Sequence, residues 1–192
     1  LIGMSNIGKS HWARHLKHKY GFTHYEVDDR IQESLSLNSI SSSAGWIGNP
    51  YNKRYASRSA IYLKLEGEMT LGADTSIGNL VLDTTGSVIH LNSDLLKQLK
   101  DKYLTVYLKA KDSDIDRLVK RFRTTPKPLI WGDHYKKKDG LSNRDSMIAC
   151  YRDLLMARDK KYEALADITV QASSFSKDED VMALFKAALP AH

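Results

Sequence analysis

Apolar positions along this chain recur with two periods, and the change from one to the other marks the elements. After Leu1-Ile2 and a glycine-bounded polar loop, Trp12, Leu16 and Tyr20 fall four residues apart, which stacks them on one helical face, and Gly21 follows as the stop. "FTHYEV" (22–27) predicts a short strand ending at the acidic pair Asp28-Asp29, after which "RIQESL" begins another helix. The Ser-, Gly- and Asn-rich "LNSISSSAGWIGNP" (37–50) reads as a loop. A helix is expected over 55–71, with Ile61, Leu65 and Met69 at helical spacing, followed by a buried strand and turn in "NLVLDTTGS" (79–87). "HLNSDLLKQLKD" (90–101) reads as a helix with Ser93 as N-cap, and the β-branched and aromatic "YLTVYLKA" (103–110) as a central strand.

Farther on, "SDIDRLVKRFRT" (113–124) predicts a basic helix, halted by the prolines of "TPKPLIWGD". Two prolines, two glycines and a lysine triplet make 124–143 a flap, and with the basic helix the lid spans about 111–143. One long helix over 145–165, a strand in "ADITVQA" (166–172) and a closing helix in "DEDVMALFKAAL" (178–189) complete the order. Strands alternating with helices imply a three-layer α/β fold, a parallel sheet with helices on both faces. The apolar run that feeds the first loop starts at residue 1, so the first strand is expected to begin upstream of it.

Bulk properties narrow the function classes. A chain of 192 residues, 42% hydrophobic, can bury one core, so 1–192 is expected to be a single domain. Its one cysteine, Cys150, fits a reducing compartment, with the cytoplasm as the expected location. No apolar run approaches the roughly 20 residues that span a bilayer, and no leader precedes the first motif, so no membrane association is expected. The net charge of +6 is dispersed except around 117–123 and 136–138. Neither run has interleaved aromatics, so the expectation is a basic face for polyphosphate, not a nucleic-acid partner.

Gly3-Met4-Ser5-Asn6-Ile7-Gly8-Lys9-Ser10 satisfies G-x-x-x-x-G-K-S/T at every fixed position. The chemistry needs each of them. Glycines let the backbone curl so that successive N–H groups point at phosphate oxygens, and the following helix adds its positive end. Lys9 can reach the outer phosphates and the Ser10 hydroxyl can ligate Mg²⁺. Gly3, Ser5, Asn6, Ile7, Gly8, Lys9, Ser10 and His11 are therefore assigned to ATP; a chance glycine-rich strand-to-helix turn is the alternative.

In a parallel sheet the strand C-termini share one edge, where ligands bind. The second strand delivers Glu26, Asp28 and Asp29 there, and the third delivers Asp83. Asp83 ends Leu80-Val81-Leu82 in the form of an acid that holds Mg²⁺ or its waters, with a turn or helix cap as its alternative role, and the Thr84-Thr85-Gly86 turn offers hydroxyls and backbone donors. Of Asp28 and Glu26, one can orient or deprotonate an acceptor hydroxyl while the other faces Mg²⁺; capping of the next helix by Asp28 or Asp29 is the competing role. A closing lid needs cations on the migrating group, for which Lys120, Arg121, Arg123 and Lys127 are candidates, each also readable as solvated surface. Arg158, two turns beyond Tyr151, either reaches the site or pairs with Asp159 or Glu163.

The phosphate loop, "EVDDRIQE", "LVLDTTGSVI", "VYLKA", "RTTPKPLIWG" and "YRDLLMARDKKYEALADITV" together resemble the shikimate kinase family in order and spacing, over nearly the whole chain. The resemblance implies a nucleoside-monophosphate-kinase-like fold with a five-stranded parallel sheet, a lid and an acceptor-binding helical region over about 30–71. It also implies ATP, Mg²⁺ and γ-phosphoryl transfer to an alcohol of a small carboxylated ring, in a monomer or homodimer. Asp28 then matches the Asp that contacts the acceptor hydroxyls, Glu26 the Mg²⁺-side Asp, Arg158 an Arg for the acceptor carboxylate, and Lys127 replaces the lid Arg. Three departures stand out. The family's triple glycine is Thr84-Thr85-Gly86, its Phe-Arg-x-x-Glu motif is Tyr55-Ala56-Ser57-Arg58-Ser59, and a lysine cannot make the bidentate fork of the lid Arg. Arg54 or Arg58 is the candidate to replace the charge missing at Ala56. A nucleoside or nucleotide kinase of the same fold, or a non-catalytic ATP-binding regulator, is the alternative function.

Overall fold

Residues 1–124 and 129–174 are described by the computed structural model of the chain. Helix α1 (Lys9–Tyr20) buries Trp12, Ala13 and Leu16 and ends at Gly21, whose left-handed φ of 71° lets its N–H cap the Leu16 and Lys17 carbonyls. Strand β1 (Thr23–Glu26) leads directly into α2 (Val27–Ser34), so Asp28 and Asp29 lie in the first helical turn, where carboxylates meet the positive end of the helix. Next come α3 (Ile40–Ile47), α4 (Tyr55–Gly72), β2 (Leu80–Asp83), α5 (Ser93–Lys102), β3 (Val106–Lys109), α6 (Asp112–Thr124), α7 (Asn143–Leu165) and β4 (Ile168–Gln171).

The strands form two parallel pairs, β1 with β2 and β3 with β4. Thr23 to Glu26 face Leu80 to Asp83 in register, and Val106 to Lys109 face Ile168 to Gln171. Leu1 and Ile2 bond to both pairs: Ile2 N–H donates to Val106 and Leu108 N–H to Ile2, while Thr84 N–H donates to Leu1. Val81 joins the core cluster that contains Trp12, Leu16, Tyr107, Leu108, Leu154 and Leu155. Its neighbour Leu82 points the other way, into a second cluster with Val27, Ile31, Ile47, Tyr62 and Ile130. This is an α/β arrangement in which helices dominate and both sheet faces are covered. Among the described residues no helix is long and apolar enough to cross a membrane.

Three expectations are corrected. The serine-rich stretch expected to be loop contains α3, because Ser39 and Ser42 form a reciprocal capping box and the apolar Ile47 is buried. Helix α4 forms as expected, with Leu65 and Met69 packed against the second cluster, but Ile61 is 47% exposed and the most buried positions are Tyr62, Glu66, Gly67 and Thr70. Gly67 sets that face, since a Cβ there would come 2.9 Å from Leu95 of α5. The N-cap of α5 is Asn92, whose side chain accepts from Leu95 N–H at 2.9 Å, and Ser93 is already helical. The expected closing helix at 178–189 and Lys127 lie outside the described residues.

Within the segment expected to form the lid, Leu129, Ile130 and Trp131 are buried. The Tyr55 hydroxyl donates to the Leu129 carbonyl at 3.2 Å and accepts from Trp131 N–H at 2.7 Å. Arg158 Nη2 donates to the Ile130 carbonyl at 2.7 Å, and the Trp131 indole meets the stacked rings of Phe122 and Tyr151 edge-on. These three residues therefore act as a strap fastened to the body of the domain. Tyr55→Phe removes both hydroxyl bonds and should destabilise the protein by about 1–3 kcal/mol, read as a lower urea midpoint; an unchanged midpoint would show that the strap is held by packing alone.

Candidate active site

The loop after Ile2 turns on two glycines in strained backbone: Gly3 at φ 145° and Gly8 at φ 115°. A Cβ on Gly3 would come 2.9 Å from the Leu108 carbonyl, so the loop starts in direct backbone contact with β3. Asn6 adopts a left-handed φ of 67°, which its short polar side chain tolerates. Lys9 is only 7% exposed, and its Nζ donates to the carbonyls of Gly3 at 3.1 Å and Met4 at 3.2 Å. The ammonium thus closes the loop from inside. The sequence motif by itself gives Lys9 contacts to phosphate only, whereas here it also braces the backbone. Ser10, in the first turn of α1, has its hydroxyl 3.4 Å from Glu26 Oε1, and His11 is exposed beside Trp12.

Two residues apart on β1, His24 and Glu26 present the same face, and the register places Asp83 opposite Glu26. His24 Nε2 lies 3.6 Å from Asp83 Oδ2 and 4.0 Å from Glu26 Oε2. Burial would raise the Asp83 carboxyl, but the His24 imidazole, the Lys9 ammonium and the Ser10 hydroxyl outweigh it and hold the group below the ordinary carboxylate range. Glu26 is pushed up, by burial first and then by the Asp83 charge. Asp83 is therefore the stronger acid of the two and the better anchor for a cation. Both Asp83 Oδ2 and His24 Nε2 are buried with no hydrogen-bond partner among the described residues, an arrangement that fits an ion or its water shell.

The turn after β2 seals the other side of the loop. A Cβ on Gly86 would lie 2.6 Å from Ser5 Oγ and 3.2 Å from the Ser5 backbone nitrogen, so a side chain here would turn the Ser5 hydroxyl aside and press on the loop. Thr84 turns its hydroxyl to the Leu1 carbonyl at 3.0 Å, away from the site. Thr85 donates to Glu66 Oε1, and Ser87 Oγ donates to Glu66 Oε2 at 2.7 Å. Nearby, Tyr62 donates to Asp28 Oδ1 at 3.0 Å. Burial drives the fully enclosed Glu66 carboxyl from 4.5 up to about 7, against the lowering effect of its two hydroxyl donors.

Arg158 is not a surface ion pair. It is 2% exposed, its Nε has no partner among the described residues, and Asp159 and Glu163 are engaged by Tyr107 and Lys109. Tyr162 from the same helix donates to the Gly86 carbonyl at 2.6 Å, tying α7 to the turn. Arg58 is directed elsewhere: its guanidinium donates to the Trp46 carbonyl and covers the Trp46 ring, so the structure does not bring it to Arg158. Lys120 and Arg121 lie on the exposed face of α6. Sequence reasoning missed His24, Tyr62, Glu66 and Ser87. Their signals were spacing, His24 sharing a strand face with Glu26, and Tyr62 and Glu66 one helical turn apart. An apolar cavity of about 380 Å³ lies at the opposite ends of the strands, with no charged side chain in its lining, and belongs to none of this chemistry.

A lysine-closed glycine loop between a strand end and a helix, facing carboxylates across a parallel sheet edge, defines an ATP-using phosphotransferase of the P-loop class. The sequence matches the family model described as shikimate kinase over residues 5–188, and the chain belongs to the shikimate kinase family. It is an ATP-dependent small-molecule kinase acting on an alcohol group, that of shikimate or a related hydroxy acid. The fold is similar to that of solved shikimate kinases. The Bacteroides thetaiotaomicron structure is 18% identical with a TM-score of 0.61, covering 97% of this chain and 91% of that one. An Acinetobacter baumannii enzyme, solved in complex with shikimate, is 20% identical with a TM-score of 0.57, covering 97% and 86%. The Aquifex aeolicus enzyme is 22% identical with a TM-score of 0.56, covering 97% and 89%. A search of curated protein sequences finds no match.

Because the folded Glu66 carboxyl holds its proton more tightly than the unfolded one, its contribution is fully present below about pH 4.5 and is lost as pH rises through about 7. The swing amounts to about 3 kcal/mol. Wild-type melting temperature should fall across that window, whereas Glu66→Gln, which keeps an acceptor for the two hydroxyls, should fall less. Parallel profiles for the two proteins would remove Glu66 as the titrating group.

Proposed function

We propose that this chain phosphorylates shikimate itself, with the loop from Gly3 to Ser10 holding the ATP phosphates. The single observation that carries the acceptor assignment is Arg158, a buried guanidinium with an unpartnered Nε beside Gly86. A buried cation with spare donors suits an acceptor carboxylate, and the shikimate bound in the Acinetobacter baumannii enzyme supports that choice. When bound, MgATP supplies the transferable γ-phosphoryl group and neutralises part of its charge. Lys9 would exchange the Gly3 and Met4 carbonyls for phosphate oxygens, which costs little because the ammonium is already desolvated. Ser10, Glu26 and Asp83 are the residues to hold Mg²⁺, and Asp28, fixed by Tyr62, orients the acceptor hydroxyl and takes its proton. Thr85 and Gly86 line the acceptor side, and Lys127, Lys120 and Arg121 are the cations to follow the migrating group. The bonds of Leu1 and Ile2 to both strand pairs support one five-stranded parallel sheet with this segment in the middle.

The decisive experiment is ADP release with MgATP and a panel of alcohols, shikimate included; no stimulation by shikimate overturns the assignment. Lys9→Met should abolish turnover and also lower the stability of the loop, seen as faster amide exchange over residues 3–8. Arg158→Lys keeps the charge but loses the fork, and should raise the acceptor KM about tenfold or more while the ATP KM changes little, the equivalent of about 1.5–3 kcal/mol. Equal effects on both KM values would place Arg158 outside the acceptor site.

A further inference from the structure

The pair of unsatisfied atoms on the strand edge, His24 Nε2 and Asp83 Oδ2, has a chemistry that magnesium does not account for. The His24 side chain is nine-tenths buried, with 10% exposure, and that of Asp83 is 3% exposed. One ligand atom from each of His24, Glu26 and Asp83 can be chosen so that all three lie within 4.8 Å of one another. Two ligands each roughly 2.1 Å from a common ion can be no more than about 4.2 Å apart. The separations of 3.6 Å and 4.0 Å from His24 Nε2 fall inside that limit while being too long for hydrogen bonds. Magnesium takes oxygen ligands almost exclusively, whereas an imidazole nitrogen beside two carboxylates suits the later first-row dications.

We propose that His24, Glu26 and Asp83 form a binding site for a transition-metal dication of the Co²⁺ or Zn²⁺ class at the phosphate end of the sheet. The site draws its selectivity from His24. Glu26 and Asp83 would bind either kind of ion, but only the nitrogen ligand gives a transition metal the advantage. Three protein ligands leave coordination positions for water or a phosphate oxygen, with the Ser10 hydroxyl next to Glu26. The inference rests on the proposed function only in assigning those open positions to the nucleotide; the three protein ligands stand without it.

The test uses the whole chain, stripped with chelator and free of nucleotide, titrated with Co²⁺ while its visible absorption is followed. The expected result is one high-affinity site giving the d–d bands of a low-symmetry nitrogen–oxygen complex, displaced by equimolar Zn²⁺ and not by a hundredfold excess of Mg²⁺. His24→Asn should weaken that site at least tenfold, which separates it from weak binding at exposed histidines such as His11. If His24→Asn fails to fold by circular dichroism, Glu26→Gln, at the more exposed position, serves as the second variant and should also lose at least tenfold. Absence of the bands, displacement by Mg²⁺ at comparable concentration, or unchanged affinity in the folded variant would overturn the proposal and leave His24 as a structural neighbour of Asp83. ADP release with MgATP and shikimate is measured separately. Turnover without the bands defeats the metal site alone, and the bands without turnover defeat the shikimate assignment alone.

Discussion

The parallel register that sets Glu26 opposite Asp83 is the constraint on which the remaining chemistry depends. Side chains alternate along a strand, so this register sends His24, Glu26, Val81 and Asp83 to the face covered by α1, and Tyr25 and Leu82 to the face covered by α2 and α4. A slip of β2 by one residue would turn the Asp83 carboxylate into the cluster around Val27, Ile31 and Tyr62 and leave Leu82 facing the phosphate loop. Apolar burial of Val81 on one side and Leu82 on the other therefore fixes where the acids stand. The site inherits its geometry from the core.

A second constraint is the absence of side chains at Gly3 and Gly86. Both are contact points: one lets the loop start against the Leu108 carbonyl, the other lets the turn after β2 press on Ser5. The phosphate loop is held between β3 and that turn, and Lys9 draws its carbonyls together from within. Buried charge is then handled differently on the two sides. Near the loop, Asp83 keeps its charge because cationic and polar groups surround it. Beyond the turn, Glu66 is hydrogen-bonded by hydroxyls, and burial outweighs them and the Arg158 charge to favour its neutral form. Arg158 lies between Gly86 and the strap at Ile130, so the helix that carries it, the turn and the strap are coupled through one guanidinium.

Much of this was legible in the residues. The strand–loop–helix opening, the order of strands and helices, the phosphate-binding motif and the edge carboxylates follow from local period and spacing, which depend on neighbours in sequence. The misreadings share a cause. Ser39 to Ser43 look like loop by composition, but a serine at the N-cap stabilises a helix that the buried Ile47 then anchors. Of the apolar stripe Ile61, Leu65 and Met69, the last two pack inward, yet the most buried positions include Glu66 and Gly67, because the close approach of α5 and the hydroxyls of Thr85 and Ser87 decide them.

The sequence by itself determined the class of fold and the glycine-bounded loop that leads into α1, since both are written in contiguous stretches whose periodicity and glycine placement have few structural solutions. Tertiary structure alone decided what the distant residues do. It turned Arg158 inward and Arg58 toward Trp46, fastened residues 129–131 to Tyr55, and gathered His24, Glu26 and Asp83 at one point. These outcomes depend on which faces of packed elements meet. Burial and electrostatic pairing between residues tens of positions apart set that choice, and local pattern carries no record of it.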